Sequence, residues 1–204
     1  GKLDEAIAEI KSLNKDYPNV PLLFNILGAC YQAKGLLTDS AQMFETATKI
    51  KPDYAEAHFN LGVVLKASGK IKEAIECYKK AIYLVPNYPA AHNNLGNMYK
   101  DLNQLDDAIK SYESAIAIKP DYAEAHHNLS LIKVYTYDDS HIQKLESLLS
   151  DKDIDTKNKV YLNFSLANIY EDLGDVEKQI KFLNEACAIK KEASHYTFDI
   201  SSKL

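Results

Sequence analysis

Residues 55–88 read AEAHFNLGVVLKASGKIKEAIECYKKAIYLVPNY, and two apolar stripes divide them. Ala57, Leu61, Val64 and Leu65 recur at three- to four-residue spacing, the mark of one buried helical face. Ser68-Gly69-Lys70 breaks the pattern, and a second stripe follows at Ala74, Ile75, Tyr78, Ala81, Ile82 and Leu84. The stretch is a helical hairpin. Gly62 and Ala81 are small where the two helices should approach closely, and Pro86 closes the second helix because proline cannot continue the backbone bonding.

The hairpin repeats. Pro18, Pro52, Pro86 and Pro120 are each 34 residues apart, and the step is shared by Gly28, Gly62 and Gly96, by Tyr54, Tyr88 and Tyr122, by Ala47, Ala81 and Ala115, and by Phe44, Tyr78 and Tyr112. One hairpin cannot bury its apolar face alone, so neighbours are expected to stack into a solenoid. Full repeats occupy 21–54, 55–88 and 89–122. Residues 1–20 fit only the second half of a repeat, which reads as a chain cut from a longer protein. Ile7, Ile10 and Leu13 should then present an apolar stripe with no covering helix and promote end-to-end self-association. After Tyr122 the register falters, giving a divergent repeat over 123–159 with an insertion in the turn near Val134–His141. A further divergent repeat follows over 160–193, carried by Leu166-Ala167, Tyr170, Gly174, Leu183 and Ala186, and 194–204 reads as a tail or linker. The expected fold is all-α: helix, turn and helix from Leu3 to about Lys190, without strands and with a right-handed superhelical curve.

Composition narrows the function. Lys and Arg total 24 against 29 Asp and Glu, a net charge of −5, so there is no basic excess to neutralise nucleic-acid phosphates. The most apolar stretch, Pro21–Tyr31, is short of the roughly 20 residues a membrane span needs. Cys30, Cys77 and Cys187 are far apart and form no CxxC pair, which fits a reducing, cytoplasmic setting rather than a disulfide or zinc framework.

Leu61-Gly62, Leu65, Gly69, Ala74, Tyr78, Ala81 and Pro86 together resemble the tetratricopeptide repeat, and 21–54 and 89–122 match in the same register. Ser40 stands where that family favours Ala, and Asn103 where it favours Gly. The chain has no Trp, and Phe24, His58, His92 and His126 occupy the place where the family often has one. The resemblance implies a tetratricopeptide-repeat superhelical solenoid of antiparallel helical hairpins that binds proteins and does not catalyse.

No GxxxxGK[ST], GxGxxG, HExxH or GxSxG string occurs. His58, His92 and His126 repeat faithfully, but stacked helices lie about 8–10 Å apart whereas zinc needs nitrogens at about 2.0–2.1 Å, so these are packing histidines, with no metal or cofactor expected. Asn60, Asn94 and Asn128 form a series just before the Leu of each repeat. In the resembling family this position points into the concave groove, and the ladder is similar to that of the O-linked N-acetylglucosamine transferase repeats, where it meets the backbone of an extended peptide. The other reading is that these amides bond across adjacent helices or face water. Asn93 and Asn97 would widen the polar strip, and Lys66 and Lys100 would add positive charge along it. The basic clamp of chaperone-tail adaptors is missing, since Asn25, Phe59, Asn93 and His127 stand at its lysine position.

The expected function is a non-catalytic protein–protein interaction scaffold engaging a protein or extended peptide in its groove. Residues 129–191 also resemble the segment that precedes the catalytic domain in bacterial tetratricopeptide–sulfotransferase fusions. The alternative is therefore a substrate-recruiting accessory region of a larger sulfotransferase or glycosyltransferase.

Overall fold

A computed structural model describes the backbone of residues 1–201 and the side chains of residues 1–192. Eleven helices follow one another, and the described residues contain no strand. Two compact units divide the chain, Gly1–Leu102 and a second beginning at Asn103. The first holds α1 (Lys2–Asp16), α2 (Pro21–Ala33), α3 (Leu37–Ile50), α4 (Ala55–Ala67), α5 (Ile71–Leu84) and α6 (Pro89–Asp101). The second holds α7 (Leu105–Ile118), α8 (Ala123–Ser130), α9 (Ser140–Leu149), α10 (Thr156–Asp172) and α11 (Val176–Ser201). Helix α11 thus continues beyond 193, so the segment read as a tail is helical through Ser201, and 202–204 lie outside the described residues.

Within a hairpin, the second helix drives an aromatic ring into a notch on the first. Phe44 and Tyr78 have no exposed surface. A Cβ added at Gly28 would stand 2.8 Å from the Phe44 ring, and one at Gly62 would stand 2.7 Å from the Tyr78 ring. Glycine is therefore required there for close approach, although it weakens a helix interior by roughly 0.5–1 kcal/mol relative to Ala. Around Tyr78 the core of this unit gathers Phe44, Leu61, Val64, Leu65, Ala74, Ile75, Leu95 and Met98. Ser40, the departure from Ala, also serves this contact: its buried hydroxyl donates to the Gly28 carbonyl at 2.8 Å.

The hairpin turns share one geometry. Gly35, Gly69 and Gly174 have φ of 73°, 75° and 72°. The amides of Leu36, Lys70 and Asp175, each one residue later, donate back to the carbonyls of Tyr31, Leu65 and Tyr170 at 2.9 Å. This closes the first helix with a left-handed residue that only Gly adopts without cost. Asn103, where the repeat pattern expects Gly, takes the same region at φ 58°, which Asn tolerates better than other side chains.

The repeated histidines fasten the turn between hairpins. The Nε2–H of His58 donates to the Pro52 carbonyl at 3.0 Å, and His92 does the same to Pro86 at 3.0 Å. Proline supplies no N–H of its own, and its carbonyl lies beyond the reach of regular helix bonding, so the imidazole satisfies it.

One expectation is corrected. Ile7 is buried, because α1 packs against α2, with Lys11 placed over the Tyr31 ring and Lys34 paired with Asp4. The apolar surface left at this end is Leu13, 44% exposed, with Tyr17 and Leu22. In the divergent repeat the irregular stretch runs from the end of α8 at Ser130 to the start of α9 at Ser140, overlapping the turn near Val134–His141 where the insertion is expected. This stretch carries Tyr135 back into the core, where it packs with Leu145, Leu162, Leu166 and Phe182.

Gly62→Ala is expected to destabilise the chain by about 1–2 kcal/mol in urea unfolding, the ring clash outweighing the helix-propensity gain. In a Tyr78→Leu background, which removes the clashing ring atoms, the same change should cost distinctly less. Equal costs in the two backgrounds would contradict the notch.

Candidate peptide-binding face

The first helices of the repeats in the first unit are α2, α4 and α6. Alternate helices are drawn together because each second helix packs on the first helices of both its own and the next hairpin: α3 contacts α2 and α4, and α5 contacts α4 and α6. Direct contact between α2 and α4 follows.

Asn60 therefore has a neighbour. Its Nδ2 donates to Asn25 Oδ1 at 3.1 Å, and Asn25 Nδ2 donates in turn to Glu56 Oε1 at 3.2 Å. Asn25 is 4% exposed, so the pair forms a largely enclosed amide link from one repeat to the next. Asn94 lies against the Tyr78 hydroxyl, whose proton is held far more tightly than usual because the phenol is buried. Asn94 and Asn97 are half-buried, as are Lys66 and Lys100. Asn93 has no exposed surface, so it widens no exposed polar strip. The same repeat position holds Asn25 in the first repeat, which meets Asn60 of the next repeat, and Phe59 in the second. The Phe59 ring lies 4.9 Å from that of Tyr88. Asn128 belongs to the second unit, on α8, and is half-buried.

Asn25 lies outside the asparagine series. The signal for it was a polar residue inside the apolar run of α2. Cys77 offers no reactive thiol: desolvation, with Glu45, Glu76 and Glu73 nearby, pushes it up to about 11. Among the described residues, no group of three or more His, Cys, Asp and Glu side chains could hold a metal ion. No helix among them is long and apolar enough to cross a membrane.

In the second unit the third histidine extends the turn bond into a chain. His126 Nε2–H donates to the Pro120 carbonyl at 2.9 Å. A carbonyl only accepts, so in the neutral ring Nδ1 must accept, and His141 Nε2–H donates to it at 2.6 Å. His141 Nδ1 then accepts from the Tyr135 hydroxyl at 2.9 Å. This directional chain, written for neutral rings, joins the Pro120 turn, α8, the irregular stretch after it and the start of α9. Desolvation holds His126 below its ordinary value, against Asp121 and with Lys144 assisting. Desolvation, then His126 and Lys133, brings His141 down to about 4, opposed by Asp139, which is paired with Lys133 at 2.9 Å.

The unfolded chain, with its histidines near 6.5, therefore binds more protons than the folded one between pH 6.5 and about 4. Stability from the chain is complete above pH 6.5, falls across that window and levels off below it. Thermal unfolding should show a loss of roughly 1–3 kcal/mol that His141→Gln largely removes. An identical pH profile in that variant would contradict the chain.

The fold and its site define a helical-hairpin repeat protein with polar and aromatic side chains on its first helices. The chain belongs to the tetratricopeptide repeat family. One model of that repeat matches residues 28–69, 64–102 and 96–133, and a second matches 160–192. A comparison with curated protein sequences gives no match. Among solved structures, the chain is similar to MamA, residues 41 to the end, from Desulfovibrio magneticus RS-1, at 22% identity and TM-score 0.66, covering 76% of this chain and 89% of that one. It is also similar to YrrB, described as a TPR protein with an unusual peptide-binding site, at 15% identity and TM-score 0.65, covering 96% and 98%. Cut9–Hcn1 of the APC/C hetero-tetramer aligns at 16% identity and TM-score 0.69, covering 93% of this chain and 37% of that one. At these identities the likeness is one of fold.

Proposed function

We propose that this chain is a non-catalytic scaffold that binds an extended polypeptide along the first helices of its repeats, through Asn60, Asn94 and Asn97 with Lys66 and Lys100 in the first unit and Asn128 in the second. Asn93 enters as a buried support. The observation that carries the reading is the half-exposed amide series itself, on helices whose opposite faces are committed to the core. An Asn side chain offers an acceptor and two donor hydrogens, and a peptide backbone offers one of each per residue, so the two match independently of ligand sequence. Asn60 commits one hydrogen to Asn25, and its carbonyl and second hydrogen are what a ligand would meet. YrrB, by its description a peptide-binding TPR protein, gives the reading a structural precedent.

The same face would serve a chain that recruits substrate for a sulfotransferase or glycosyltransferase, and a catalytic domain in the parent reading frame would distinguish that alternative. Self-association through Leu13, Tyr17 and Leu22 is a separate use of the chain's first helices.

The test is to select peptides from a displayed random library on the purified chain and measure their affinity for the Asn60→Ala, Asn94→Ala and Asn128→Ala triple variant. Net hydrogen bonds of about 0.5–1.5 kcal/mol each imply a loss of roughly 1.5–4.5 kcal/mol, a weakening of about ten- to a thousand-fold. Melting should fall as well, since Asn60→Ala leaves the enclosed Asn25 carbonyl without its donor at a cost of about 1–3 kcal/mol and Asn94→Ala removes the side chain that lies against the buried Tyr78 hydroxyl. Failure to enrich any peptide, or unchanged affinity in the triple variant, would overturn the proposal.

A further inference from the structure

The second unit holds an open apolar pocket of about 660 Å³, lined by residues of α8, α10 and the later part of α11. Val160, Tyr161, Phe164 and Ile189 form its apolar lining, and His127 joins them with its ring 5.6 Å from Tyr161 and 6.3 Å from Phe164. All five are half-buried, so the aromatic faces are neither closed over nor fully in water. Among the described residues, its charged lining side chains are two lysines. Lys157 stands over the Tyr161 ring at 5.7 Å and Lys190 over the Phe164 ring at 5.4 Å, and both are exposed. Among the described residues, no acidic side chain lines the pocket, although the chain as a whole carries a net charge of −5.

Such a pocket matches one kind of ligand. The apolar lining gains by burying a large side chain, and aromatic contacts add to simple burial. The lysines rest against the rings at moderate cation–π distances, which keeps both ammonium groups beside the pocket rather than swung into solvent. Positive charge beside an apolar pocket selects carboxylates flanking the anchor and rejects basic flanks, because like charges brought together on binding cost affinity. Tyr161 and Phe164 stand on the last repeat's first helix, the element that the proposed function assigns to ligand contact.

We infer that this pocket is an anchor site for a polypeptide segment that presents a bulky apolar side chain flanked by carboxylates, with Lys157 and Lys190 reading the charge. The inference rests on the peptide-binding reading and gives it a specificity that the asparagine series lacks, since amides contacting backbone do not choose among sequences.

The experiment titrates capped Ac-GDFEG-amide and Ac-GKFKG-amide into the full chain while following the methyl resonances of Val160 and Ile189 by NMR. Saturable shifts at both residues are expected for the acidic peptide, with at least ten-fold weaker binding of the basic one. Lys157→Glu with Lys190→Glu changes two exposed side chains and should leave the fold intact, as the unperturbed remainder of the spectrum reports, while reversing the preference. Equal affinity for the two peptides, shifts that avoid Val160 and Ile189, or an unreversed preference would overturn the inference. Loss of the pocket with continued asparagine-dependent binding of library-selected peptides would sink the pocket alone. Absence of any peptide binding at either place would sink the broader reading as well.

Discussion

The contact on which the first unit depends is an aromatic ring seated where a glycine leaves no side chain. Phe44 against Gly28 and Tyr78 against Gly62 set how closely two helices of a hairpin lie, and both rings are wholly enclosed. That spacing has consequences one level up. Because α3 and α5 each pack on two first helices, the first helices become neighbours, and Asn25 and Asn60 come within hydrogen-bonding distance across a repeat boundary. The glycine therefore reaches the candidate site through packing, without being near it. A side chain at Gly62 would displace Tyr78, and with it the surface on which α4 and α6 rest.

A second constraint acts at the boundaries between hairpins. The chain must turn at a proline, whose carbonyl is left outside regular helix bonding, and the imidazole six residues later donates to it. His58, His92 and His126 all make this bond. In the divergent repeat the same imidazole is extended by His141 and Tyr135, where α8 is short and the chain takes an irregular path to α9. The departure from the regular pattern is thus tied down by adding to the histidine device. The same unit also carries the lysine-flanked aromatic pocket.

The 34-residue period was legible because every repeat must satisfy the same packing equation, so Gly, Ala, Tyr and Pro recur at fixed places. Helix type, hairpin turns and the packing role of the histidines followed from that regularity. The histidine's partner did not, because a backbone carbonyl leaves no mark in a sequence. Asn93 was misplaced onto the polar strip because its neighbour Asn94 belongs to the series, whereas adjacent helical residues point about 100° apart and Asn93 falls on the inward side. Ile7 was expected to lie bare, yet α1 pairs with α2 and covers it. The pocket was not visible at all, since His127, Tyr161 and Ile189 come from three helices and share no spacing.

The central claim is that ligand contact belongs to the first helices, joined by α11 at the pocket of the second unit, and packing to the other second helices. Amide hydrogen–deuterium exchange of the full chain, with and without a library-selected peptide, tests it directly. The account predicts added protection in α4 and α6 of the first unit, and in α8 and α10 of the second, with α3, α5 and α7 unchanged. Protection centred on α3, α5 or α7 would contradict it.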